Sequence, residues 1–196
     1  MSKWLLGCGA LLVGVVAVAV FAGIGVYNRL VTLDEAVNTT WSQVENVYQR
    51  RADLVPNLVE TVRGARDFES ETLTAVVEAR SRVGQATLER APSAAELGRF
   101  QAAQDSLSSA LSRLMVVVER YPELKATEAF RDLMAQLEGT ENRITVERRR
   151  YNEAVQAFNT SRRRIPAVLL AGLFGFDERP YFQAAPDSEH APAVRF

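Results

Sequence analysis

Five polar side chains interrupt apolar registers that otherwise repeat every three or four residues: Arg51, Glu69, Gln104, Glu141 and Arg148. Carboxylates held inside a helical body can ligate a cation or carry a proton. With antiparallel helices, Glu69, Gln104 and Glu141 are expected at similar heights. Arg148 follows Glu141 by two helical turns and so shares its face. A buried charge must be paired and hydrogen-bonded, and its best-attested use is to fix register. The seam is therefore read as structural, with a metal- or proton-carrying pair of Glu69 and Glu141 as the competing chemistry. Di-metal bundles add Glu-x-x-His pairs, and this sequence has none.

The remaining chemistry-bearing residues narrow the field. The single histidine, His190, sits in a Pro-containing tail, which excludes His-dependent triads and histidine-bearing metal sites from the body. The single cysteine, Cys8, excludes an internal disulfide framework. No nucleophile–base pair is legible, so no catalytic residue, metal ligand or cofactor site is assigned, and the chain is read as not an enzyme. With 23 Lys+Arg against 24 Asp+Glu, no general attraction to polyanions is implied, and no nucleic-acid partner is expected.

These residues need elements to position them. Residues 4–27 carry no charge and are nearly all apolar. As a helix they would run about 36 Å, enough to cross a hydrocarbon core of about 30 Å. Trp4 and Tyr27 stand at the two ends, where interfacial aromatics belong. "AVA" at 17–19 resembles a cleavage site, but the apolar run continues past it; "LLGC" at 5–8 has too short a lead for a lipoprotein signal. The segment is read as an uncleaved anchor in contact with the lipid bilayer. The amino terminus and Lys3 precede it and Arg29 follows, a bias that puts the body on the extracytoplasmic side of the cell membrane. Ala10 with Gly14, and Ala19 with Gly23, have the spacing that lets spans approach closely, a hint of a homo-oligomer.

Beyond the anchor, four apolar registers follow the helical period: Leu30 to Tyr48, Leu58 to Val83, Leu97 to Val118, and Phe130 to Phe158. "RAPSAAE" supplies a stop and a new start, with Ser93 as a cap and Glu96 three residues on. "RYPELKA" does the same around Pro122. Between the first and second registers the only candidate break is Pro56, in "RRADLVPNLVETV" (50–62). Either the chain turns there, or one helix of about 60 residues merely kinks. The kink would leave Trp41, Val44 and Tyr48 without partners, so the turn is expected. In that reading Arg50, Asp53, Pro56 and Asn57 form a helix corner: Pro56 opens the second helix, Asp53 caps it, and Arg50 and Arg51 close the first.

The expected fold is all-α, an N-terminal transmembrane helix followed by an antiparallel up-and-down four-helix bundle. Its parts are an anchor at 1–27, a body at 28–176 and a flexible tail at 177–196. The helices are expected at about 28–54, 56–90, 93–119 and 124–162, with a short apolar segment at 165–175. That segment, in "RRRIPAVLLAGLFGF" (162–176), is too short to span a bilayer. Arg162, Arg163 and Arg164 at headgroup level, with Leu169, Leu170, Leu173, Phe174 and Phe176 below, would make a membrane contact. Alternatively the segment folds back and caps the open end of the bundle.

Taken in order, "YNRLV" (27–31), "RRADLVPNLVETV" (50–62), "ERYPELKA" (119–126), "TENRITVERRRYNEAVQAFN" (140–159) and "FGFDERPYF" (174–182) resemble the LemA family of bacterial membrane proteins. The resemblance implies an N-terminal membrane anchor, a soluble four-helix bundle and no established enzymatic activity, and it favours the turn at Pro56. It implies a role in membrane-associated assembly or quality control, one branch belonging to magnetosome formation, and it carries over no catalytic residues. The expectation is a scaffold or adaptor for as yet unidentified envelope or membrane proteins. The alternative is a lipid-contacting, membrane-organising protein that uses the 162–176 segment.

Overall fold

The computed structural model describes residues 2–64, 69–88 and 90–183, with side chains from Leu11 onward. The side chains of Trp4, Cys8 and Ala10, and all of Ala65, His190 and the tail from 184, lie outside the described residues. The described chain is all-helical, with no strand. α1 runs Ser2–Arg63, α2 Ser70–Gln85, α3 Ala94–Val118, α4 Pro122–Ala126, α5 Glu128–Arg163 and α6 Ala167–Ala171.

The expected turn at Pro56 is not there. α1 continues through Pro56 for 62 residues, about 93 Å, and ends before Gly64. The four helices of similar length are therefore corrected to one very long helix and three shorter ones, and α2 covers only 16 residues. A proline inside a helix leaves the carbonyl four residues back without its donor. Here that carbonyl belongs to Ala52, and the Arg80 Nε of α2 donates to it at 3.0 Å. The Pro56 ring itself faces outward and is exposed. Trp41, Val44 and Tyr48 do not lack partners either, because α5 reaches far enough to cover them.

Three apolar clusters stack along α1. The one farthest from the apolar segment joins Val55, Leu58 and Val62 to α2, α3 and the start of α5. The middle cluster is aromatic: Trp41, Tyr48, Phe100, Tyr151, Phe158 and Phe182. Trp41 meets Phe100, Tyr151 and Phe182 with centroids 5.1, 5.6 and 6.1 Å away. The third cluster holds Leu30 against Ala167 and Ala171 of α6. Phe130 belongs to the first cluster and Phe158 to the second, so α5 runs opposite to α1.

The connections are fixed by side chains of α1 and by local caps. Trp41 Nε1 donates to the Leu88 carbonyl at 3.1 Å, and the Leu88 amide donates to Glu45 at 3.0 Å. Ser93 and Glu96 form the capping box expected at the start of α3. Their hydrogen bonds hold the Glu96 carboxyl below its usual range. The turn that follows α6 closes at Gly175, whose φ of +73° is a conformation that L side chains rarely adopt. The Phe176 amide then donates back to the Ala171 carbonyl at 2.9 Å, a helix-ending pattern that needs glycine at this position.

Candidate functional site

Of the five seam residues, three come together. Arg51 is 3% exposed, between α1, α3 and α5. Its Nη1 donates to Ser108 and to Glu141, each at 3.0 Å, and its Nη2 donates to the side chain and the carbonyl of Gln104. The guanidinium also lies over the Tyr48 ring, 5.1 Å from its centroid. Burial raises the Tyr48 phenol above its ordinary range, against the pull of Arg148 and Arg51. Of the guanidinium nitrogens, only Arg51 Nε finds no partner among the described residues.

The other members depart from expectation. Glu141 is 58% exposed rather than buried, so the pair has one dry and one wet end. Glu69 lies at the start of α2 and pairs with Arg120 at 3.2 Å. Arg120 lies just past the end of α3, about 24 Å along the axis from Gln104, so Glu69 and Glu141 do not meet. The sequence put Glu69 in the seam because Leu58–Val83 read as one register, which the break after Arg63 divides. Arg148 lies over the Phe182 ring at 4.8 Å and donates to the Gln183 carbonyl at 2.9 Å. Among the described residues, no three His, Cys, Asp or Glu side chains converge as metal ligands would.

The corner residues also change role. Arg50 and Asn57 are exposed in mid-helix, and Asp53 accepts from Gln49 one turn back at 2.9 Å instead of capping a helix.

Sequence reading missed the strap over the aromatic cluster. Residues 177–183, assigned to a flexible tail, are extended and bound along α5. The Arg179 amide donates to Asn159 Oδ1 at 3.0 Å, and Asn159 Nδ2 donates to the Arg179 carbonyl at 2.8 Å. Asn152 holds Phe182 in the same reciprocal way, at 2.9 and 3.2 Å. Two asparagines two turns apart thus pair with the strap backbone as a neighbouring strand would. The Arg179 guanidinium grips Asp34 of α1 through Nε and Nη2 at 2.9 and 3.1 Å. Phe182 is buried against Trp41 and Tyr151. The Tyr151 hydroxyl is buried without a partner among the described residues, and burial pushes its pKa up to about 12, against the pull of Arg179. The legible signal was Asn152 and Asn159, seven residues apart beside an apolar register.

Next to the start of the strap, the arginines and the short apolar segment gather beside the apolar segment of α1. Arg162 Nε donates to the Phe176 carbonyl at 2.6 Å and Arg163 Nε to the Asn159 carbonyl at 3.4 Å, while Arg164 is exposed. Tyr27 packs on Phe174 and Phe176, with centroids 5.1 and 5.7 Å away. α6 does fold back: Ala167 and Ala171 are buried, whereas Leu169 and Leu173 are exposed and Leu170 is half-buried. α1 is the one described helix long and apolar enough to cross a membrane, with a mean hydropathy of 2.2 in its apolar window.

The family model described as the LemA family matches residues 40–196. Magnetosome protein MamQ 2 of Paramagnetospirillum magneticum is 31% identical over 179 residues, covering 82% of this chain and 65% of that protein. Magnetosome protein MamQ of Magnetospirillum gryphiswaldense is 25% identical, with the same coverage of 82% and 65%. Protein LemA of Metamycoplasma hominis is 25% identical over 140 residues, covering 71% of this chain and 61% of that protein. The chain thus spans 65% of the length of these magnetosome relatives. With the family model matching most of its length, the chain belongs to the LemA family.

Proposed function

We propose that this chain is a non-enzymatic, single-pass membrane-anchored scaffold whose helical body presents its faces to protein partners in the envelope or in a membrane-associated assembly. The observation that carries this reading is the continuity of α1. One helix supplies both the apolar segment and a wall of the two large clusters, so no linker separates tether from body. A tether of that kind holds the body at a set angle to the bilayer, which suits a part that positions other proteins. The likeness to relatives named for the magnetosome supports a role in an assembly, since that name denotes a cellular structure rather than a reaction. We read α1, α2, α3 and α5 as an up-and-down four-helix bundle. The charge bias about the span supports a body on the extracytoplasmic side.

The test is photo-crosslinking in native membranes from Val77, Val116 and Val146, exposed on α2, α3 and α5. Discrete adducts with other proteins are expected, and a short Gly-Ser insertion after Asn28 is expected to abolish them by uncoupling body from span. No adduct at any of the three positions would overturn the scaffold reading. Adducts that survive the insertion would overturn the need for rigid coupling.

A further inference from the structure

α6 lies on α1 at a defined level. A side chain added at Gly23 would come within 4.0 Å of Leu170 Cδ1, and Phe174 packs on Tyr27. Gly23 stands four residues before Tyr27, about 6 Å deeper along the helix axis. If the span ends near Tyr27, Leu170 and Phe174 lie between the interface and about 6 Å below it. That reaches the shallow end of the depth at which interfacial helices bury their apolar faces, about 5–10 Å into the headgroup and acyl boundary.

The exposed side chains agree with that level. Among the described residues beyond Tyr27, half of the large apolar side chains left exposed fall within residues 165–174. Ile165, Leu169 and Leu173 are 84%, 74% and 78% exposed. A soluble surface rarely concentrates apolar groups in this way without something to cover them. A groove of about 670 Å³ between α1 and α6, walled by Ala19, Gly23, Tyr27, Leu170 and Phe174 among others, continues the same surface into the span. At its edge, Arg162 and Arg163 are held by backbone carbonyls, whereas Arg164 is exposed and its guanidinium makes no hydrogen bond among the described residues.

We propose that α6 and its flanks form a second membrane contact. Ile165, Leu169 and Leu173 enter the leaflet into which the body-side end of α1 passes, acyl chains fill the groove, and Arg164 meets anionic headgroups. The occupant is the lipid bilayer, because the patch is continuous with the helix that crosses it. Ala167 and Ala171 keep the inner face of the segment on Leu30, so the segment both caps the body and dips into lipid. This contact does not depend on the scaffold role.

The test uses the full chain in vesicles of phosphatidylethanolamine and phosphatidylglycerol. In a Cys8→Ser background, Leu169→Cys or Leu173→Cys is labelled with an environment-sensitive nitrobenzoxadiazole probe. Val116→Cys, on α3 and 72% exposed, serves as the reference. Lipids brominated on the acyl chain are expected to quench the probes at 169 and 173 at least threefold more than at 116, while aqueous iodide quenches only the probe at 116. Iodide quenching at 169 and 173 equal to that at 116 would overturn the proposal. Shielding from both quenchers would overturn it as well, assigning the face to a protein partner or a second copy.

Discussion

The carbonyl of Ala52 accepts its hydrogen bond from Arg80, on another helix, instead of from residue 56 of its own. Pro56 has no N–H to give, and Arg80 occupies the vacancy, so α1 passes through the proline and its freed acceptor is still satisfied. Arg80→Ala should therefore cost about 1–3 kcal/mol by leaving a buried acceptor unpaired. In a Pro56→Ala background the restored helical N–H should cut that cost to below about 1 kcal/mol. A double-mutant cycle in urea checks this, and equal costs in both backgrounds would refute the relationship.

The pairing of Arg51 with Glu141 should be lopsided. Removing Arg51 leaves buried groups of Gln104 unpaired, so Arg51→Ala should cost about 1–3 kcal/mol. Glu141 is 58% exposed, and Glu141→Gln keeps an acceptor in place, so its cost should stay within about 1 kcal/mol. Denaturant midpoints for the two variants give the comparison directly.

Alkaline pH should unfold the protein through its tyrosines. Tyr151 has a folded pKa of about 12, against about 10 in the unfolded chain, and Tyr48 is shifted in the same direction. A raised folded pKa contributes stability that is fully present below the unfolded value and lost as pH rises through the folded one. Stability should accordingly fall between about pH 10 and 12. Tyr151→Phe removes both the titration and an unpaired hydroxyl. It should be neutral or stabilising by about 1 kcal/mol and move the alkaline transition upward. Thermal unfolding at stepped pH, with tyrosinate absorbance as a second signal, tests both statements.

The strap should come loose in a graded way. Asn152→Ala and Asn159→Ala each remove two backbone contacts, about 2 kcal/mol apiece, and Asn159 is the more buried. Amide hydrogen exchange at Arg179 and Phe182 should accelerate about tenfold or more in either variant, while exchange in the distal cluster around Val62 and Val76 stays unchanged. Uniform acceleration across the chain would mean that the strap is part of the global fold rather than a local layer.

Much of this architecture was legible because it rests on local rules. The Ser93 and Glu96 box, the start at Pro122 and the apolar registers each depend on residues within one or two turns of one another, and the all-helical fold followed from them. Pro56 was misread for the opposite reason. Whether a proline ends a helix depends on what satisfies the carbonyl behind it, and here the donor sits 28 residues downstream. The strap was invisible to periodicity because an extended segment paired to side chains has no period of its own. Arg51 and Gln104 could be seen as polar residues in apolar registers, but the exposure of Glu141 depends on where α5 lies against α3.

On the proposed reading, in which one helix is both anchor and core, α1 also works as a lever arm. From Tyr27 to Arg63, α1 projects about 54 Å, so a change of about 10° in tilt sweeps its far end through about 9 Å. Transmembrane helices change tilt to match the thickness of the bilayer around them. The distal faces of this protein would therefore travel as the membrane thins or thickens, turning a property of the lipid into a displacement that a bound partner would feel.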